Sequence, residues 1–179
     1  MSNASTLTAE QAKIVDAIDK RNNHNCSIPA DELVIVGGAA LQMFGIKKSP
    51  DIDVVVTPHQ MEQILEENFH WPWFQARWNH HPRKLNRCGL SVAATGTGEG
   101  QLIRGDAYGS TYGDITYMLA PNDHLYQATF EELRDEAVEI GGILVSPPAR
   151  ILAWKRGVNR PKDAKDIALI ENYLTGLDT

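Results

Sequence analysis

Asp51-Ile52-Asp53 is the stretch whose residue types and spacing point most directly to chemistry. The two acids open an apolar run, Val54-Val55-Val56, so residues 51–56 read as a strand. Alternate side chains of a strand share a face, which sends Asp51 and Asp53 the same way, about 6–7 Å apart along the chain. Ile52, Val54 and Val56 then point the other way, into a core. Two carboxylates held out of one face of an apolar strand are costly unless a cation sits between them. A divalent metal is the natural candidate. A calcium loop is excluded, because valines stand where it needs further oxygen ligands and a glycine.

Asp114 opens a second alternating run over residues 114–119, with Ile115, Tyr117 and Leu119 on the face opposite the acid. Paired beside 51–56, its backbone would lie about 4.8 Å away and its carboxylate would join the other two. Three carboxylates can hold two Mg²⁺ ions about 3.5–4 Å apart, the spacing used for in-line phosphoryl or nucleotidyl transfer. One ion would sit on nucleotide phosphates and the other would activate an attacking hydroxyl. Asp106 is the rival third acid, but its surroundings read as a glycine-rich loop. Gly37-Gly38 follows the apolar run 33–36; backbone amides opening a helix there favour phosphate, and glycine permits close approach. The same pair also serves as a plain tight turn. It is neither a dinucleotide fingerprint nor a Walker loop.

The elements that must position these residues can be read outward from them. Residues 33–36 form a short buried strand, 39–44 a two-turn helix, and Gly45 its stop. Upstream, residues 8–21 form a helix with Thr8 and Gln11 at capping-box spacing and Ile14, Val15, Ala17 and Ile18 in one stripe. Downstream, Thr57-Pro58-His59-Gln60 opens a helix whose inward face is Met61, Ile64, Leu65 and Phe69. Two strands near 90–94 and 101–104 flank a glycine-rich turn, and residues 129–136 are helical. Gly141-Gly142 between 138–140 and 143–145 signals a hairpin. Ser146-Pro147-Pro148 opens a helix through Lys155, and a last helix after Pro161 turns Ile167, Ala168, Ile170 and Leu174 inward. The fold class expected is α+β: a mixed sheet carrying the acids, helices packed on it, one domain over residues 1–179, and a helical segment over 146–179.

Gly37-Gly38, a spacer of twelve residues and Asp51-Ile52-Asp53 resemble the signature of the polymerase-beta-like nucleotidyltransferase superfamily. Lys48-Ser49-Pro50-Asp51 resembles its small bacterial branch of abortive-infection toxins and antibiotic nucleotidyltransferases, with Lys48 where relatives carry arginine. Lys155, followed by Arg160-Pro161-Lys162-Asp163 and Asp166, is similar to the lysine helix and Arg-x-Lys-Asp segment of that branch. The resemblance touches residues 33–57 and 113–174. It implies a nucleotidyltransferase-like fold and transfer of a nucleoside monophosphate from an NTP to a hydroxyl, with pyrophosphate released. Asp51 and Asp53 would bind both Mg²⁺ ions, with Mn²⁺ a possible substitute, and Asp114 would bind the catalytic one and act as or orient the base. Gly37, Gly38 and Ser49 would hold the triphosphate. Lys48, as a nucleotide ligand, would lack the arginine's bidentate fork. Lys155 would reach a phosphate; Lys162 and Asp163 would do so or tie helices together.

The bulk properties bound the rest. A chain of 179 residues, 42% hydrophobic and 22% charged, suits one ordinary cored domain. The net charge of −6 does not favour a dedicated nucleic-acid binder. Two distant cysteines, Cys26 and Cys88, fit a reduced cytoplasmic protein. No apolar run approaches the ~20 residues that cross a bilayer, so no membrane partner is expected. Trp71, Trp73, Phe74 and Trp78 alternate with Arg77, Arg83, Lys84 and Arg87 and read either as a stacking surface for a base or as core with a basic rim. The acceptor stays open between RNA, a protein side chain and a small hydroxyl compound. Two rival functions remain beside the transferase: a catalytically silent module of the same fold that binds nucleotide or a partner, and a two-metal phosphohydrolase.

Overall fold

A computed structural model describes residues 7–24, 28–57, 59–60, 90–93, 102–106, 114–118 and 128–177. For the segments at 90–93, 102–106 and 114–118 this is the course of the backbone. The architecture is α+β. Helix α1 (Ala9–His24) begins with the capping box that the spacing predicts: the Thr8 amide donates to Gln11 Oε1 at 2.8 Å and the Gln11 amide to Thr8 Oγ1 at 3.3 Å. Ile14, Ala17 and Ile18 are buried, the stripe one face of a helix provides.

Strand β1 (Leu33–Val36) runs directly into α2 (Gly37–Met43). The sequence starts this helix at residue 39; the structure starts it at the glycine pair. Gly37 makes the turn by itself at φ +63°, a conformation only glycine adopts cheaply, so Gly38 is already helical. The stop is as expected. Gly45 takes φ +74°, its amide donates to the Gln42 carbonyl at 2.9 Å, and the Ile46 amide donates to the Leu41 carbonyl at 2.9 Å. This is the paired bonding of a Schellman ending.

Seven strands share one mixed sheet among the described residues: β1, β2 (Ile52–Val56), β3 (Leu90–Ala93), β4 (Leu102–Asp106), β5 (Asp114–Met118), β6 (Val138–Ile140) and β7 (Ile143–Val145). Their order is β3-β4-β5-β2-β1-β7-β6. β1 runs parallel to β7 and β2 parallel to β5; the other neighbours are antiparallel. β6 and β7 form the hairpin expected from Gly141-Gly142, whose φ values of +63° and +79° suit a two-residue turn. Among the described residues three more helices occur: α3 (Phe130–Glu136) just before β6, then α4 (Pro148–Val158) and α5 (Ala164–Leu177) after β7, the last reached through a 3₁₀ turn at Pro161–Asp163.

Both faces of the central strands are covered. Leu33, Ile35, Ile52, Val54, Val56 and Val145 face the larger core, shared with α1, α2, α4 and α5. Val34, Val36 and Val55 face a smaller one, closed by Ala128 and by Phe130 and Leu133 of α3. In α5, Ile170 is buried and Ile167 and Leu174 pack against the larger core, as expected. Ala168 is exposed, contrary to the sequence reading. At 100° per residue it lies off the arc shared by 167, 170 and 174. None of the described helices is long and apolar enough to cross a membrane. The expected helix over 61–69, the aromatic-basic stretch 70–87 and the turn 95–100 lie outside the described residues.

Candidate metal and phosphate site

The acids lie at one end of the sheet because of strand register. Asp53 pairs with Val36 across the antiparallel β1–β2 ladder, so it shares the face of Val36 and Val55. On its other side β5 runs parallel, with Ile52 opposite Ile115 and Asp53 opposite Thr116. Asp114, one residue before Ile115, therefore stands abreast of Asp51, on a backbone about 4.8 Å away. The pairing expected between the two acid-bearing strands is present.

Asp106 is where the sequence reading needs correction. Glycine-rich surroundings suggested a loop, yet Asp106 is the last residue of β4 and pairs with Asp114. Gly105 is itself a ladder residue, opposite Ile115. Positions 51, 114 and 106 thus form one row at that end of the sheet, Asp51 standing just before β2 and Asp114 and Asp106 on β5 and β4. Ile52, Ile115 and Gly105 form the next row, and Asp53, Thr116 and Arg104 the one after it, on the same face as the first.

Around Asp51 the contacts are local and dense. Ser49 is buried, and its hydroxyl donates to Asp51 Oδ1 at 3.1 Å. The Ser49 amide donates to Gln42 Oε1 at 2.6 Å, and Gln42 Nε2 lies 3.4 Å from the Glu10 carbonyl. Gly38 makes room for this arrangement: a Cβ there would meet Ser49 Oγ at 2.5 Å. The second glycine of the pair therefore seats the serine that orients the first acid.

The predicted cations are distributed differently. Lys48 has an 81% exposed side chain whose ammonium lies 3.5 Å from Glu10. Its neighbour Lys47 turns inward and donates to both oxygens of Asp166, at 2.8 and 2.9 Å. Lys155 is buried and divides its charge between Asp163 Oδ1 at 2.7 Å and Asp166 Oδ2 at 2.9 Å. Arg160 completes the cluster, with Nε 2.5 Å from Asp163 Oδ2 and its guanidinium 5.0 Å from the Trp154 ring centre. Lys162 is exposed on the 3₁₀ turn. Asp163 thus ties helices together, one of the two roles the sequence left open for it. Burial pushes its carboxyl up, but hydrogen bonds from Arg160 and Lys155 outweigh that and bring it down to about 2. Asp166 is likewise lowered: burial raises it, and the bonds from Lys47 and Lys155 prevail.

Gln42 and Lys47 are the residues that sequence reasoning did not place in the site's frame; Asp166 was named with the Lys155 motif but given no role. The available signal for Gln42 was one amide among Ala39, Ala40, Leu41 and Met43, all buried. A polar side chain in such a helix must find partners. For Lys47 there was no comparable signal, since two adjacent lysines cannot be told apart by composition.

Among the residues whose side chains are described, no three His, Cys, Asp or Glu form a metal-binding group. Asp114, the third acid of the candidate set, opens β5, which is described by the course of its backbone. Compared with protein-family models, curated proteins and solved structures, the chain matches none.

Proposed function

We propose that the chain is a Mg²⁺-dependent nucleotidyltransferase of the polymerase-beta-like kind, moving a nucleoside monophosphate from an NTP to a hydroxyl and releasing pyrophosphate. The observation that supports this reading is the register that sets Asp114 abreast of Asp51, beside Asp53 and one strand from the glycine turn. The donor set fits the metal: carboxylate oxygens are the ligands that hard cations such as Mg²⁺ and Mn²⁺ take. When bound, such ions neutralise phosphate charge and lower the pKa of an attacking hydroxyl.

Asp51 and Asp53 would hold the ions at the start of β2, and Asp114 would complete the catalytic position and take up or orient the acceptor proton. Ser49, by donating to Asp51 Oδ1, would orient that carboxylate for the cation. Gly37 and Gly38 keep side chains away from the triphosphate path. Lys48 supplies an exposed cation for phosphate. Lys155 reaches a phosphate only by giving up one of its two carboxylates, so in the resting chain it belongs to the frame. Lys162 contributes charge from the rim.

Incubation with each α-labelled NTP, Mg²⁺ and separate RNA, protein and small hydroxyl acceptors tests the proposal. Label transfer with stoichiometric pyrophosphate, abolished in Asp53→Ala, is the expected result. Turnover that survives Asp53→Ala refutes the mechanism. Calorimetry under the same conditions separates the silent-module reading, which gives tight nucleotide binding without pyrophosphate.

A further inference from the structure

Resting on the metal-site reading, we infer that Asp166, on the C-terminal helix, is a positioning residue for the first metal carboxylate. It acts through Lys47 on the segment that carries Ser49 and Asp51. Lys47, Lys48, Ser49 and Pro50 are the whole connection between the Schellman ending of α2 and Asp51. Such a connection has few internal restraints. Besides the exposed Lys48–Glu10 contact, it is fixed at three points: the Ile46 amide on the Leu41 carbonyl, the Ser49 amide on Gln42 Oε1, and the Lys47 ammonium on Asp166. The first two tie it to α2, next to it in sequence. The third reaches across 119 residues to α5.

The anchor at the far end is stiff. Asp166 is also bonded to Lys155, whose side chain is 6% exposed, and Lys155 to Asp163, 3% exposed and gripped by Arg160. Three cations and two carboxylates alternate through α4, the 3₁₀ turn, α5 and the loop before Asp51. Charges this buried stay paired, because an unpaired one is not solvated. A shift of α5 is thus transmitted to Lys47, and through two residues of chain to the hydroxyl that holds Asp51. Groups behind a metal ligand commonly set affinity by 10–100-fold. Asp166, one step further back than Ser49, is expected at the lower end of that range.

Two variants in the full-length chain test this. Asp166→Asn removes the shared anion. Lys47→Met is milder, since it leaves Lys155 both of its carboxylates. The probes are Mn²⁺ alone, followed by its free electron-resonance signal, and hydrogen exchange at the Ser49 amide. In both variants Mn²⁺ affinity is expected to fall about tenfold, with faster Ser49 exchange and an unchanged exchange pattern in β1 and β2. Restoration of both readouts in Asp166→Glu supports the positioning role. Wild-type Mn²⁺ affinity in Lys47→Met, while Asp51→Asn abolishes binding, overturns the inference and leaves the metal site standing. Wild-type protein that binds no Mn²⁺ overturns the metal site and the inference with it.

Discussion

Asp163→Asn offers the sharpest test of the ion cluster, because two independent arguments give its size. Asp163 is 2% exposed and accepts from Lys155 at 2.7 Å and from Arg160 at 2.5 and 3.1 Å. Removing one member of a buried ion pair costs about 3–5 kcal/mol, since the remaining charge loses its partner. Separately, lowering of the carboxyl from the ordinary 3.8 to about 2 corresponds to about 2–3 kcal/mol of stability near neutral pH. The two agree on a loss of about 3 kcal/mol. The pH dependence follows from the sign of the shift. A depressed carboxylate stabilises the fold fully above its unfolded pKa, and that contribution is withdrawn as pH falls through the folded value. The gap between wild type and variant is therefore full at about pH 5–7, about half by pH 3, and nearly closed toward pH 2. Urea titrations followed by circular dichroism at these pH values, with the slope on urea compared as a control, measure it. A gap below about 1 kcal/mol at neutral pH, or one that does not narrow with acid, refutes the reasoning.

Gly38→Ala should separate function from stability. An alanine gains up to about 1 kcal/mol of helix preference but overpacks Ser49 by about 1–3 kcal/mol, so the net loss is about 1 kcal/mol in a thermal melt. Because Ser49 relieves the contact by turning away from Asp51, Mn²⁺ affinity and pyrophosphate release fall about tenfold. Thr129→Ala should act on stability alone. It removes the capping box in which the Glu132 amide donates to Thr129 Oγ1 and the Thr129 amide to Glu132 Oε2. About 1 kcal/mol is lost, with faster exchange confined to α3 and unchanged Mn²⁺ affinity.

Much of the fold was legible because its signals are local. The capping box at Thr8, the stop at Gly45, the turn at Gly141-Gly142 and the β-period of Ile52, Val54 and Val56 each depend on a few neighbouring residues, and each is present. Non-local features were harder. That Asp114 stands abreast of Asp51 could be expected from two alternating runs, but nothing in either run specifies which strands become neighbours. Asp106 escaped because Gly105 lowers strand preference, while the ladder with β5 supplies what preference lacks. The roles of Lys47 and Lys48 divide by side-chain direction: one faces α5 and the other solvent. A sequence of two lysines contains no record of that. Lys155 shows the converse. Its motif marked it as important, and the structure adds that its charge is matched by Asp163 and Asp166.

The central claim is that Asp51, Asp53 and Asp114 share a divalent cation beside a nucleotide triphosphate. Anomalous scattering at the manganese edge, from crystals grown with Mn²⁺ and a non-hydrolysable NTP analogue, tests it most directly. The account predicts anomalous peaks bounded by those three carboxylates, with the triphosphate running toward Gly37-Gly38 and Ser49. Manganese bound elsewhere, or nucleotide density with no metal at the three acids, would contradict it.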